Sequence, residues 1–260
     1  MKIRPCPLAI VLVGTLAVPA AAQRADEHRT RIGLGAQIVP SFPGSNDIRV
    51  GPLVKVSRAR GDEPFEFSAP DQTFGVPLVK VGRFSLGPAL GYVGSRKASD
   101  VGAALPKIGF TVEAGAFAQY AASGHFRLRA EGRQGIGGHK GSIADLGADY
   151  VARDGDQWLV SLGPRVTLAD GRYERAYFGV RAADSGPSGL PAYAPRGGIE
   201  AAGAAMTGLR QLTPEWGLYG YAKYARLLGD AADSPIIRRL GSRDQLSGGL
   251  ALTYTFRGGL

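Results

Sequence analysis

Four charged residues stand at every second position, Arg127, Arg129, Glu131 and Arg133, and alternate with Phe126, Leu128, Ala130 and Gly132. Successive side chains of an extended chain point to opposite faces. The spacing therefore gives one face three guanidiniums and a carboxylate, and leaves the other small and apolar. Facing a water-filled lumen, such a row could favour anionic solutes; alternatively it could neutralise itself against acids on adjacent strands, such as Glu113 or Asp145. Other reactive chemistry is sparse. Histidine is the usual general base, but a hydrolase needs nucleophile, base and orienting group to converge. His28 lies in a polar N-terminal stretch, His125 follows a Ser-Gly turn and His139 sits in a glycine-rich turn, so all three read as loop residues. Asp145 and Asp149 share a strand face and Asp230 and Asp233 a loop; calcium can use such carboxylates, but solvated acids are the simpler reading. Gly33-Leu34-Gly35 and Gly135-Ile136-Gly137 lack the strand-helix-strand context of a nucleotide loop. The expectation is a non-enzymatic protein with no cofactor and no metal site.

The elements that position these residues are read from a period of two. Alternation runs through Ile32 to Ile38, Ile48 to Val56, Phe74 to Leu78, Phe84 to Tyr92, Phe110 to Tyr120, the charged run itself, Ala144 to Tyr150, Trp158 to Leu168, Glu174 to Val180, Ile199 to Leu209, Trp216 to Leu228 and Leu250 to Phe256. Between them lie turn clusters such as Ser123-Gly124, Arg153-Asp154-Gly155-Asp156, Ala169-Asp170-Gly171-Arg172 and Thr213-Pro214-Glu215. Glycine is 39 of 260 residues, about twice the usual ~7%, which weighs against helices, where each interior glycine costs ~1 kcal/mol relative to alanine.

The first residues address the compartment. Lys2 and Arg4 precede an apolar run from Leu8 to Val18, then Pro19 and Ala20-Ala21-Ala22 before Gln23, the order of a cleavable secretory signal. Cleavage between Ala22 and Gln23 divides the chain into a signal peptide, residues 1–22, and a mature domain, residues 23–260. It also removes Cys6, the only cysteine, leaving no disulfide or thiolate site. The net charge falls from +9 to +7 with the loss of Lys2 and Arg4. Secretion argues against nucleic acid as the partner of this positive charge and favours lipopolysaccharide phosphates or murein carboxylates.

A chain that alternates apolar and polar, without a spanning helix, fits a β-barrel with lipid outside and a polar interior. Transmembrane strands of ~9 to 11 residues plus connections give about twelve strands, an even number, in a closed antiparallel transmembrane barrel. Phe65 to Ser68 is read as loop or a short strand extension, and Arg181 to Gly198 and Gly229 to Asp244 as the long loops. Tyr92, Tyr120, Tyr150, Trp158, Tyr173, Tyr177, Trp216 and Tyr254 fall near strand ends, as interfacial girdles require. The last strand carries Tyr254 and Phe256, followed by Arg257-Gly258-Gly259-Leu260.

Several stretches together resemble the MltA-interacting protein (MipA)/OmpV family of outer-membrane proteins. The most telling run is Tyr173-Glu-Arg-Ala-Tyr177-Phe178-Gly179-Val180, with Ser188-Gly189-Leu190-Pro191-Ala192-Tyr193 and Gly197-Gly198 after it. Pro40 with Gly44-Ser45-Asn46-Asp47, Gly137-Gly138-His139-Lys140-Gly141, and Leu228-Gly229-Asp230-Ala231-Ala232-Asp233-Ser234-Pro235-Ile236 add to it in the right order. The resemblance implies an outer-membrane barrel in contact with lipid and lipopolysaccharide, delivered by the barrel assembly machinery through its terminal Tyr254 and Phe256 strand. It further implies a scaffold joining a lytic transglycosylase to a penicillin-binding protein. Other members are described as adhesins or porin-like proteins, so a narrow channel for small anionic solutes, or an adhesin, stays open.

Overall fold

The computed structural model describes residues 28–257. The signal segment, its cleavage at Ala22 and Gln23, and the residues after Arg257 lie outside the described residues. Eleven strands form one antiparallel sheet: β1 (His28–Pro40), β2 (Ile48–Arg60), β3 (Val79–Val81), β4 (Phe84–Val93), β5 (Thr111–Ala121), β6 (Phe126–Gly137), β7 (Ser142–Asp154), β8 (Trp158–Asp170), β9 (Gly197–Gln211), β10 (Trp216–Leu227) and β11 (Asp244–Arg257). The order β2-β1-β11-β10-β9-β8-β7-β6-β5-β4-β3 joins the first and last strands, so the sheet curls as a barrel does. Among the described residues no helix is long and apolar enough to cross a membrane.

Two expectations about this wall are corrected. Among the described residues it has eleven strands where about twelve, an even number, are expected, and it is not closed, because β2 and β3 are the two ends of the sheet. The cause lies in residues 61–73. Every neighbouring pair round the sheet is antiparallel, so β2 and β3 run in the same direction. The chain between them must travel back along the barrel, and it does so inside the lumen. The stretch leading into β3 already follows β4, with Phe74 exchanging two hydrogen bonds with Leu90 and Leu78 donating to Leu86.

The two ends of the barrel differ. At one end β3–β4, β5–β6, β7–β8 and β9–β10 are joined by short turns, and both termini of the sheet lie there. At the other, long connections fold into α1 (Ala98–Val101), α2 (Gly171–Tyr177), α3 (Ala182–Ser188), α4 (Gly229–Asp233) and α5 (Pro235–Leu240). The period-2 reading of Glu174 to Val180 is therefore wrong: α2 takes Glu174 to Tyr177, Phe178 is its C-cap, and only Val180 keeps an extended contact, a bridge to Tyr193. Asp170 caps this helix by accepting from the Arg172 and Tyr173 amides at 3.0 and 2.8 Å, which satisfies two of its free N–H groups. The Ala169-Asp170-Gly171-Arg172 cluster is thus a helix start rather than a hairpin turn, and the stretches expected as irregular loops hold α3, α4 and α5.

The outward face is apolar along the wall, with Leu34, Val50, Val54, Leu86, Leu128, Leu162 and Leu250 all exposed. Aromatics gather at the turn end: Phe84 with Tyr120, Phe126 with Tyr150, and Trp216 with Tyr254 and Phe256, at ring separations of 4.5 to 5.1 Å. Tyr92 and Phe110 pair at the opposite rim. Tyr173 and Tyr177 do not join either girdle; both are buried beneath the helical cap.

Candidate functional site

The β6 row faces inward. Arg127, Glu131 and Arg133 are 7%, 4% and 8% exposed, against 56% for Phe126 and 49% for Leu128. Arg127 and Arg133 meet acids on neighbouring strands, while Arg129 and Glu131 pair within β6. Arg133 donates to Glu113 of β5, to Glu131 and to Asp145 of β7 at 2.8, 2.6 and 2.8 Å. Arg129 donates to Glu131 at 2.8 Å and lies 3.7 Å from the centre of the Phe117 ring. Asp149 is held between Arg127 and Arg165 of β8, each at 2.6 Å. Both acids are ion-paired: Asp149 is buried between arginines of β6 and β8 on either side of β7, and Asp145, partly exposed, pairs with Arg133 of β6.

Residues 61–73 fill the remaining space. Phe65 is buried, with the Arg31 guanidinium 4.1 Å above its ring. Phe67 lies under Arg127 at 4.4 Å, and Arg127 also donates to its carbonyl at 3.1 Å. Asp71 joins Arg165 at 2.9 Å and Lys223 of β10 at 3.3 Å. Thr73 donates to Glu131 at 2.5 Å. Two small pockets of about 30 Å³ each lie beside the segment. A larger polar cavity of about 280 Å³ lies between the network and the cap, bordered by Arg133, Asp145, Glu200 and Lys223. Sequence reading placed the β6 row on one face but gave no role to Asp71, Arg165 or Lys223. The alternation of β8 and β10 carries Arg165 and Lys223 as inward positions; nothing local marks Asp71.

His139 departs from the loop reading. Its ring is buried, 3.1 Å from Glu113, accepts the Gly141 amide through Nδ1 at 3.1 Å, and packs edge-on against Tyr173 at 5.0 Å. It ties the top of the network to the cap. His125, just before β6, sets its Nδ1 3.1 Å from the Val151 carbonyl, and His28 opens β1. The three histidines stand apart, and no cluster of metal-ligating side chains occurs among the described residues.

The motif residues build the cap. Tyr173, Tyr177 and Phe178 are buried with Leu227, Ala231 and Ile237. Ser234 caps α5 by accepting from the Ile236 amide and donates to the Phe178 carbonyl at 2.6 Å, with Pro235 at the first helical position. The Asp230 carboxylate accepts the Arg196 amide and its carbonyl accepts the Tyr193 hydroxyl, both at 2.8 Å. Ser188 accepts the Leu190 amide, and Gly197 and Gly198 start β9 opposite Asp170 and Ala169. Gly179 packs so closely on α2 that an added Cβ would lie 2.6 Å from the Arg175 carbonyl. Gly44 needs its glycine twice over, with φ at +90° and Ile237 2.2 Å from where a Cβ would stand. Tyr254 and Phe256 meet edge-to-face at the opposite, turn end, with ring centres 4.7 Å apart.

Two cap groups have displaced protonation equilibria. Glu174 is buried and neither carboxylate oxygen has a hydrogen-bond partner. Burial, helped by the nearby Asp230 charge, pushes its pKa up to about 7. Burial draws Arg96 down to about 10; it donates to the Tyr177 carbonyl at 2.8 Å and so pins the chain after β4 to α2.

No curated protein matches the chain. Among solved structures it is similar to an outer membrane channel from Pseudomonas putida F1, at 12% identity over 89% of this chain and 96% of that one, with a TM-score of 0.43. A Pseudomonas aeruginosa FadL homologue gives 10% identity over 91% and 92%, with a TM-score of 0.38. The toluene transporter TodX of Pseudomonas putida gives 11% over 90% of each, with a TM-score of 0.35. The profile of the family described as MltA-interacting protein MipA matches residues 32–256, nearly all of the sheet and cap just described, and the chain belongs to that family.

Proposed function

We propose that this protein is a non-enzymatic outer-membrane scaffold that docks a murein-processing enzyme at its periplasmic turns. The observation that carries the reading is the occupied lumen: buried ion pairs and the side chains of residues 61–73 lie across the space between β1, β6, β8 and β10. Its activity then resides at its ends. Outer-membrane barrels keep short turns on the periplasmic side and long loops outside, so the helical cap faces outward and the turn end faces the murein. The family's description names an interaction with MltA, and this supports a murein enzyme as the partner. The turn end offers a surface of the right kind, with Leu212 62% exposed in the β9–β10 turn and Arg83 exposed in the β3–β4 turn.

The test is affinity capture from detergent-solubilised envelopes with a tagged chain. A lytic transglycosylase, with or without a penicillin-binding protein, is expected in the eluate. Leu212→Glu combined with Arg83→Glu should lower its recovery about tenfold or more, the scale of losing one well-packed anchor, while Arg238→Glu with Arg239→Glu on the cap should not. Full recovery with the turn variant would move the docking surface elsewhere. An empty eluate, together with a robust current from the reconstituted wild-type protein, would favour the narrow-channel reading instead.

A further inference from the structure

We infer that residues 61–73 are the displaced twelfth strand of the wall, and that their movement from lumen to seam closes the barrel and opens a path for small anions. This goes beyond the scaffold reading and does not depend on it.

The wall demands an occupant for the seam. Along β2 the outward side chains Val50, Val54 and Val56 are 59–71% exposed, as on the rest of the apolar surface, so its unpaired edge stands at hydrocarbon depth. Open sheet edges facing lipid do not persist, because their N–H and C=O groups have nothing to bond. Direction selects among occupants. A strand pairing antiparallel with both β2 and β3 must run opposite to them. A second copy in the same membrane presents only edges running their way and could pair only in parallel, the weaker arrangement. Residues 61–73 run the required way and are joined to both edges.

Register agrees. Gly61 has φ +49° and the Glu63 amide donates to the Arg60 carbonyl at 3.0 Å, so β2 leaves through a two-residue Gly61-Asp62 turn of the hairpin kind. Continuing that hairpin sets Phe65 opposite Arg58, Phe67 opposite Val56 and Ala69 opposite Val54. Phe65, Phe67 and Ala69 then face lipid; the same alternation would turn Asp71 outward opposite Pro52, so the paired strand ends at Pro70 and Asp71 belongs to the turn toward β3. Pro64 and Pro70 fall opposite Ala59 and Leu53, at positions that make no hydrogen bond to β2, where a missing N–H costs nothing on that side. Ser68 falls opposite Lys55, whose Nζ already bonds its carbonyl at 3.1 Å. The segment therefore sits behind the seam at the height it would occupy within it.

In the lumen it is held by side chains rather than by a ladder. Within residues 62–73 the backbone hydrogen bonds outside the regular strands are Glu63 to Arg60 and Gln72 to Ala69. Asp71 is the principal latch, between Arg165 and Lys223. When the segment leaves, these two cations lose its carboxylate, and the emptied lumen is left richer in positive charge, which favours anions.

Cys6 precedes the mature chain, so engineered cysteines report without background. Val56 points outward and Phe67 packs on Arg127 of β6, so Val56→Cys with Phe67→Cys cannot bridge in the plugged arrangement but become cross-strand neighbours in the closed wall. Ile32→Cys with Val56→Cys, opposite each other on β1 and β2, is the positive control. Each variant, checked for heat-modifiable mobility, is oxidised in lipid bilayers and followed by non-reducing electrophoresis and single-channel recording. The Val56/Phe67 pair should form an intramolecular disulfide, several-fold faster when Asp71→Asn is added. The oxidised protein should conduct, prefer chloride to potassium, and close on reduction. Should that pair fail to fold, Arg58→Cys with Phe65→Cys tests the same register. A Val56/Phe67 pair that stays reduced while the control oxidises, a disulfide between two chains, or a bridged protein that carries no current would each overturn the inference.

Discussion

At the residue scale the lumen is a set of mutual dependencies rather than a row of independent charges. Asp149 is the sharpest case, because it separates two guanidiniums at 2.6 Å and is almost wholly buried. Removing one partner of such a set leaves uncompensated charge in a poorly solvated site, typically at a cost of ~3 to 5 kcal/mol. Asp149→Ala should therefore lower the unfolding free energy of the barrel, measured by urea titration in lipid vesicles, by that order. Asp149→Ala combined with Arg127→Leu should recover part of the loss, since one unpaired cation is gone. Glu174 makes a second prediction, in the cap. Its folded pKa lies near 7, above the usual carboxylate value of 4.5, so the folded cap binds the proton more tightly than the unfolded chain does. Cap stability is then fullest below about pH 4.5, falls as the pH rises toward about 7, and changes little above it. Limited proteolysis of the cap loops should accelerate across that window in the wild type. Glu174→Gln, which cannot ionise, should flatten the dependence; an unchanged profile would assign it to another group.

At the element scale the alternation of β6 separates two solvents. Leu128 faces outward at 49% exposure, whereas the Arg129 side chain is folded over Phe117 and bonded to Glu131. Leu128→Arg puts a guanidinium on the lipid face opposite Tyr120 of the turn-end girdle, where the ~2 to 4 kcal/mol of a midplane arginine falls toward ~1 kcal/mol. It should slow insertion into vesicles and lower the folded fraction. Arg129→Leu should do less damage, because Glu131 keeps Arg133 at 2.6 Å. Equal losses from the two substitutions would mean that β6 does not divide lipid from lumen. The short cap helices obey a different rule from the strands. Isolated helices of five to seven residues do not persist on their own; α2 and α5 hold because Asp170 and Ser234 cap them and Tyr177, Phe178 and Ile236 bury their faces.

At the scale of the whole molecule, a curled wall, a core of paired charges and a folded cap make a barrel blocked along its axis. Reconstituted wild-type protein should show negligible conductance, and N-terminal sequencing of the protein from outer-membrane fractions should start at Gln23. A freely conducting wild-type barrel would contradict the packing seen here, in which Phe65, Phe67 and Asp71 occupy the space between β1, β6, β8 and β10.

The sequence by itself determined the strands and their two faces, since side-chain direction along an extended chain is local and needs only a period of two. It placed Arg127, Arg129, Glu131 and Arg133 together, and its ordered motifs pointed to the family. The same periodicity misread Glu174 to Val180, because seven residues with apolar groups near every third position also contain a run of two, and only capping by Asp170 and packing against Ala231 and Ile237 resolve the ambiguity in favour of a helix. Phe65-Glu66-Phe67-Ser68 shows the limit most plainly. Its alternation is that of a wall strand, yet Arg31 of β1 lies over Phe65, Arg127 of β6 over Phe67, and Arg165 of β8 holds Asp71, so the segment lies in the lumen. Those partners come from strands far away in sequence, and which of them a residue meets is decided only when the sheet curls.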